Sequence, residues 1–215
     1  MATNNSINTT SGKITLEKAA SDLQTTYIGG STWSTGQDNT DNSFRISQNA
    51  TLGTNDTFVM SSAGEKTLPL QPSFLARLST TQNNVTGDGT YYDVINDTEI
   101  IDRNSDYNNA TGIFIAPITG VYLLKACCRC DDLAAAHTTG QLRLTTSNRT
   151  YYENMRNASI RNAANQATLS LMVLTDMDAG DTAIIAVYWA GSTKTVDVYA
   201  HATNVNTWFS GFLVC

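Results

Sequence analysis

Large apolar residues alternate with small or polar ones along most of the chain after position 70. The clearest example is 182–189, which reads Thr-Ala-Ile-Ile-Ala-Val-Tyr-Trp. Alternate side chains of a strand point to the same face, so this pattern is typical of half-buried β-strands. It predicts short strands near 73–79, 91–96, 111–116, 120–129, 140–146, 150–156, 167–175, 182–190, 194–201 and 207–214. Strands of this length separated by Gly-, Asp- and Pro-containing turns predict two stacked antiparallel sheets.

The last apolar segment, 207–214, is too rich in large side chains to be left in water. Trp208, Phe209 and Phe212 all lie within it, and burying such rings is a main source of folding free energy. We therefore expect this strand to lie in the middle of a sheet, with a partner strand on either side.

Residues 1–70 have a different pattern. Their apolar residues are sparse and come in short bursts, as in 44–46 and 58–60, and a long polar, turn-rich stretch covers 29–39. Short strands joined by polar turns bury too little surface to be stable alone. The sequence therefore predicts an N-terminal β-rich attachment arm over 1–70, ordered by its partners, and a separate head over 71–215. A short helix is predicted at 15–24.

Composition narrows the classes of function. Charged residues make up 15% of the chain and the net charge is −6, against the usual quarter or so of charged residues. An acidic chain of low charge density argues against a nucleic-acid partner.

There is no apolar run near the roughly 18 residues of a membrane span. The polar start, 1–10, lacks a signal-peptide pattern, so we expect synthesis in the cytoplasm without membrane insertion.

The cysteines and histidines do not form a recognisable metal-binding pattern. Cys127, Cys128 and Cys130 share one predicted strand, which sends Cys128 and Cys130 to one face and Cys127 to the other. Zinc needs about four convergent ligands. His137 and His201 are the only histidines and lack ligand spacing. These cysteines are therefore predicted to be reduced and to serve in packing.

Catalytic motifs are also missing from the sequence. No Gly-x-Ser-x-Gly, Walker or Gly-x-Gly-x-x-Gly segment is present, so the chain is predicted to be neither an enzyme nor a cofactor-binding protein. The weak candidates for a calcium site are acidic pairs, since calcium takes oxygen ligands from loops. They are Asp131 with Asp132 and Asp178 with Asp181. Acidic loop residues are more often simply solvated.

Four groups of residues, in order along the chain, resemble a known family. A short aromatic strand at 91–93 precedes a closely spaced set made up of Tyr107, Gly112, Phe114, Pro117, Gly120 and Tyr122. A Gly180-Asp181 turn follows, and the chain closes with Phe209-Ser210-Gly211-Phe212-Leu213. Over about 72–215 this set resembles the globular head of complement component one q, the jelly roll shared with tumour necrosis factor. The resemblance implies a homotrimer with a two-sheet jelly-roll sandwich.

The segments 69–76, 176–183 and 210–215 are similar to bacteriophage versions of this domain, which are carried by tail fibres and capsid-surface proteins. The resemblance implies a trimeric virion fibre or spike, with 1–70 bound to other virion proteins and the head bound to a host-surface receptor or glycan. One alternative is a capsid decoration protein that clamps the shell through its arm. A second alternative is a secreted lectin-like module.

Loop length and polarity give the candidates for receptor contact. They fall in 82–90 and 147–161 and near 194: Asn84, Asp88, Tyr151, Tyr152 and Lys194. The adjacent tyrosines Tyr91-Tyr92 and Tyr151-Tyr152 place one ring on each face of a strand, so that one can pack while the other is exposed. Exposed tyrosine suits contacts with sugars or proteins, although most rings are expected to fill the core or the seam between subunits.

Overall fold

The protein is all-β, as the sequence predicts. A computed structural model describes residues 21–215, and 52% of these residues are strand against 2% helix. The described chain divides into two compact units after Gln71.

The N-terminal unit is one antiparallel sheet with the strand order β1-β2-β3-β4-β5. Its strands are β1 (Leu23–Ile28), β2 (Thr32–Gln37), β3 (Phe44–Ser47), β4 (Asp56–Met60) and β5 (Lys66–Thr67). The sequence predicted turns throughout 29–39, and this prediction is wrong over 32–37. These residues form β2, which pairs with β1 and β3.

The helix predicted at 15–24 is wrong over the described residues 21–24. Leu23 and Gln24 begin β1 and pair with Gln37 and Gly36 of β2, and 15–20 lie outside the described residues. Local helix propensity is a weak preference that tertiary pairing overrides.

The head contains the other thirteen strands and one short helix, α1 (Asn157–Ile160). The first six strands are β6 (Ser73–Arg77), β7 (Gln82–Thr86), β8 (Tyr91–Asp93), β9 (Thr98–Asp102), β10 (Tyr107–Asn108) and β11 (Ile113–Ile115). The remaining seven are β12 (Gly120–Asp131), β13 (Thr139–Thr146), β14 (Thr150–Arg156), β15 (Ala167–Met177), β16 (Thr182–Ala190), β17 (Val196–Val198) and β18 (Trp208–Leu213). Each of the ten predicted strands overlaps one of these, whereas β7, β9 and β10 were not predicted.

Two antiparallel sheets form the head. The first has the order β7-β17-β12-β18-β6-β9, with β15 also pairing with β12. The second has the order β10-β11-β16-β13-β14, with β8 also pairing with β16. The prediction for the last strand is confirmed, because β18 pairs with β12 on one side and β6 on the other.

An aromatic cluster fills the space between the two sheets. The Phe74 ring stacks on Phe114, with centroids 4.6 Å apart, and meets Phe209 edge-on at 4.9 Å. Tyr107 stacks on the Phe74 ring at 5.1 Å, and its hydroxyl donates to the carbonyl oxygen of Asn96 at 3.1 Å. Tyr122 closes the cluster against Phe114. Four residues of the family-like set, Tyr107, Phe114, Tyr122 and Phe209, are thus core residues.

Gly211 is required by close packing. A Cβ at this position would lie 2.5 Å from Leu124 Cδ2 and 2.8 Å from the Phe74 ring, inside the contact distance of carbon atoms. Since both neighbours are buried core residues, neither has open space to move into. The glycine allows the last strand to lie flat against the core.

Candidate functional site

Two of the four cysteines are core residues. Cys128 and Cys130 are fully buried with their sulfurs 3.9 Å apart, while Cys127 on the other face is half-buried. The hydrogen bond with Cys130 and burial raise the pKa of the Cys128 thiol, and burial raises the pKa of Cys127. Within 21–215, no group of three or more His, Cys, Asp or Glu side chains is placed to hold a metal ion.

The acidic pairs considered for calcium lie at opposite ends of β12. Asp131 ends this strand and pairs with Arg129, with Oδ1 2.8 Å from Nε. Asp178 and Asp181 follow Met177, which pairs with Gly120 at the start of the strand. The Asp181 carboxylate accepts from the Asp178 backbone N–H at 2.8 Å, so it closes a turn. The four carboxylates therefore do not converge on one site.

The outer face of the first sheet is apolar. Leu123 of β12 has Leu174 of β15 opposite it on one side and Phe212 of β18 on the other. Leu174 is 61% exposed, Met172 60% and Phe212 46%. We call this surface the apolar face and define it by Leu75, Val121, Leu123, Met172, Leu174 and Phe212.

The apolar face continues along the same strands toward a tryptophan. Cys127 pairs with Trp208 of β18, and the Lys125 ammonium lies 5.3 Å from the centre of the Trp208 ring. The lysine adds a cation–π contact with this ring.

The outer face of the second sheet carries tyrosines and polar side chains beside β8, whereas Ile115 of β11 is 47% exposed near the start of β16. One row across the sheet runs from Tyr91 of β8 through Tyr188 and Gln141 to Asn154 of β14. The next row contains Asp93, Arg143 and Tyr152. We call this surface the tyrosine platform and define it by Tyr91, Asp93, Gln141, Arg143, Tyr152 and Tyr188.

The platform side chains contact one another directly. The Tyr91 and Tyr188 rings have centroids 4.8 Å apart, and the Arg143 guanidinium lies 4.1 Å from the centre of the Tyr91 ring. The Tyr91 hydroxyl donates to Gln141 Oε1, and Arg143 Nη2 is 3.5 Å from Asp93 Oδ1. Burial is the main cause that raises the pKa of Tyr91, so the hydroxyl remains a hydrogen-bond donor.

The proposed receptor-contact residues fall into separate places. Tyr152 lies on the platform and is 47% exposed, whereas Tyr151 points inward and its hydroxyl donates to Thr175 Oγ1 at 3.0 Å. The pair Tyr91-Tyr92 divides in the same way, with Tyr91 39% exposed and Tyr92 packed against the core. One ring on each face is what strand geometry predicted.

Asp88 and Lys194 lie close enough to interact. Hydrogen bonding by Thr90 and, to a smaller extent, the Lys194 charge lower the pKa of the Asp88 carboxyl.

Asn84 belongs to β7, and its backbone N–H donates to Asp197 Oδ1 at 2.7 Å. The segment 82–90, predicted as a loop, contains β7, which pairs with β17. The segment 147–161 contains the predicted strand β14 and also the helix α1.

Sequence reasoning missed four of the six platform residues. Asp93, Gln141, Arg143 and Tyr188 were not singled out, since each looks like an ordinary strand residue. The available signal was their parity, which places them on the side of their strands opposite the core residues Val187 and Leu142.

The family model of the C1q domain matches residues 73–214. The chain belongs to the C1q domain family. Domains of this family are commonly trimeric binding modules and typically not enzymes, and its jelly roll, which the sequence predicted, is confirmed. The range matched is the head described above.

The head is also similar to solved structures. The globular domain of zebrafish complement 1qA is 19% identical, with a TM-score of 0.46, over 67% of this chain and 98% of the other. Murine APRIL at pH 8.5 is 10% identical, with a TM-score of 0.45, over 67% and 99%. No curated protein sequence matches significantly. Among residues 21–215, no helix has the length and apolar character needed to cross a membrane.

Proposed function

We propose that the protein is a non-enzymatic homotrimeric binding module whose subunits associate through the apolar face. The observation that carries this proposal is the continuous row Leu174, Leu123 and Phe212 across three neighbouring strands, with its two outer members largely exposed. Monomeric proteins rarely expose contiguous apolar surface of this kind. A symmetric oligomer removes it from water on every subunit at once.

The N-terminal unit supports the same proposal independently. One face of its sheet is apolar and exposed, as shown by Tyr27, Trp33, Phe44 and Ile46. The opposite face carries a network of Ser, Asp and Arg side chains. A sheet with an exposed apolar face of its own requires a covering partner.

Leucine 174 provides the test of the trimer. The full-length protein is expected to sediment with three times the mass of one chain. Leu174→Lys places an unpaired ammonium in the centre of the proposed subunit interface, and burying such a charge costs several kcal/mol. The mass measured by sedimentation should therefore fall to that of one chain. Iodoacetamide should then modify Cys127 faster than in the wild type, because the thiol lies on the same face.

Thr150→Lys is the matched control. Thr150 is an exposed residue of β14 on the other sheet, and the same new charge there should leave the trimer intact. A wild-type protein with the mass of a single chain at micromolar concentration would refute the trimer.

We further propose that the module is a phage virion protein, with the N-terminal unit attached to the virion and the head directed at the host surface. The support is the similarity of 69–76, 176–183 and 210–215 to phage versions of the domain, together with the division into two compact units after Gln71. Three equivalent heads would raise avidity without a single strong site.

Immunogold labelling of virions with an antibody against the head tests this assignment. Labelling is expected at the tail tip of the phage that encodes the chain. Labelling of the shell would replace the fibre with capsid decoration, and virions that lack the protein would refute both.

A further inference from the structure

We infer that the tyrosine platform is a binding site for an uncharged saccharide. This inference rests on the proposed function as a binding module and deepens it by naming the class of ligand. It uses the outer face of the second sheet, whereas the proposed trimer uses the outer face of the first. The two sites are therefore on opposite sides of the sandwich, and both can be occupied together.

The rings provide surface for the apolar face of a sugar. Tyr91 and Tyr188 lie side by side with an interplanar angle of 37°, and Tyr152 lies beyond Arg143 in the next row. A pyranose ring has C–H groups on its faces and hydroxyls around its rim. Tyrosine matches this division, because its ring is apolar and its hydroxyl is polar.

Polar groups surround these rings at the positions where hydroxyls would lie. Gln141 uses its amide oxygen for the Tyr91 hydroxyl, so its NH₂ group is left to donate outward. Asn154 is exposed in the same row, and its side-chain amide both donates and accepts. Since each sugar hydroxyl also donates and accepts, amides satisfy it better than a surface of one polarity.

Arg143 adds N–H donors at the edge of the platform. Its Nε is enclosed, but 25% of the side chain is exposed, and the ion pair with Asp93 is a long 3.5 Å contact. The exposed part of the guanidinium can therefore donate to a bound hydroxyl. The guanidinium over the Tyr91 ring also fixes the orientation of that ring.

The composition of the platform favours a neutral saccharide over other ligands. The charges of Arg143 and Asp93 offset each other, so an anionic phosphate or sulfate gains little. The other outward residues of these strands include Thr145 and Thr150, in contrast with the leucines and Met172 of the apolar face. Tyrosine and arginine are also common in protein interfaces, so the feature that favours a saccharide is the set of amide groups beside the rings.

The row from Tyr91 to Asn154 also has the dimensions of a chain of sugars. It crosses four neighbouring strands, which corresponds to about 14 Å at the usual strand spacing. This is longer than one sugar ring, so we expect an oligosaccharide to bind better than a monosaccharide.

An array of neutral oligosaccharides probed with the full-length trimer tests the site, with titration calorimetry on the best binder. Tyr91→Ala and Tyr152→Ala are each expected to weaken binding about tenfold or more, since truncating an aromatic anchor commonly costs more than about 1 kcal/mol. Tyr152→Phe keeps the ring and should bind within a few-fold of the wild type. Tyr27→Ala removes an exposed tyrosine of the N-terminal unit and should leave binding unchanged.

Sedimentation of the same samples separates this proposal from the previous one. A trimer that binds no array saccharide, or whose binding survives both alanine substitutions, overturns the saccharide site and leaves the trimeric module standing. A monomer that still binds saccharide through Tyr91 and Tyr152 overturns the trimer and supports the site. Preference for sulfated or phosphorylated sugars would contradict the assignment of a neutral ligand.

Discussion

Phe209→Ala is expected to lower the free energy of unfolding of the head by about 3–5 kcal/mol, the range for deleting a large buried ring. Phe209 is fully buried and meets the Phe74 ring at 4.9 Å and the Tyr107 ring at 6.3 Å. Its loss removes apolar contacts and opens a cavity between the two sheets. A single domain commonly has only about 5–15 kcal/mol of stability, so the midpoint of urea unfolding should fall markedly.

Phe212→Ala is the control on the same strand. Phe212 is 46% exposed and faces away from the core, so its truncation should hardly affect the intrinsic stability of one subunit. It should instead weaken association, which makes the unfolding midpoint depend more strongly on protein concentration. Equal losses for the two variants at every concentration would show that Phe212 is a core residue and that the apolar face is misassigned.

The strands that alternation predicts are those in which one face meets the core. In β16, Ile185 and Val187 point inward and are fully buried, and this regularity is visible in the sequence. The strand β7 has no such signal because its residues are Gln, Asn and Thr with a single valine. It forms because its backbone pairs with β17, and pairing between strands more than a hundred residues apart leaves no local pattern.

The tyrosine platform could be predicted only in part for the same reason. Adjacent tyrosines predict one outward ring on β8 and one on β14, and the structure agrees. What joins them is the register of β16 and β13, which lie between these two strands. Register follows from core packing over a whole sheet. The contact of Tyr91 with Tyr188 and Arg143 could therefore not be predicted from the sequence.

The apolar face shows what residue type alone leaves undecided. Phe209 and Phe212 are the same residue three positions apart, yet one fills the core and the other lies on the surface. Gly211 between them is where the strand packs closely on Leu124 and Phe74. One face of β18 therefore packs in the core of the sandwich, and its other face forms part of the proposed subunit interface.

Arg45→Met is expected to unfold the N-terminal unit while the head stays folded. The Arg45 guanidinium is 16% exposed and contacts three carboxylates, Asp38 at 3.1 Å, Asp41 and Asp56. The Asp38 and Asp56 side chains are only 6% and 8% exposed. Removing one partner of a buried ion pair typically costs about 3–5 kcal/mol, because the remaining charges stay desolvated.

This loss is large for a single sheet with little apolar core. In the N-terminal unit, Leu52 is the one large apolar residue that is fully buried among the described positions. The polar face depends on the same network, in which Asp56 also accepts from the Ser47 hydroxyl and from the Gly53 N–H at 3.1 Å. Hydrogen exchange with mass spectrometry should show fast exchange over 23–60 in the variant and unchanged protection of β12 and β18.

Arg149→Met supplies the matched control. Arg149 also pairs with an aspartate, Asp176, but both side chains are more than half exposed, and exposed pairs contribute about 0–1 kcal/mol. Its hydrogen-exchange pattern should therefore match the wild type in both units. Unchanged protection of 23–60 in Arg45→Met would contradict this prediction. The stability of the N-terminal unit would then have to come from burial of Tyr27, Trp33, Phe44 and Ile46 against the other subunits, and not from the ion pairs of Arg45.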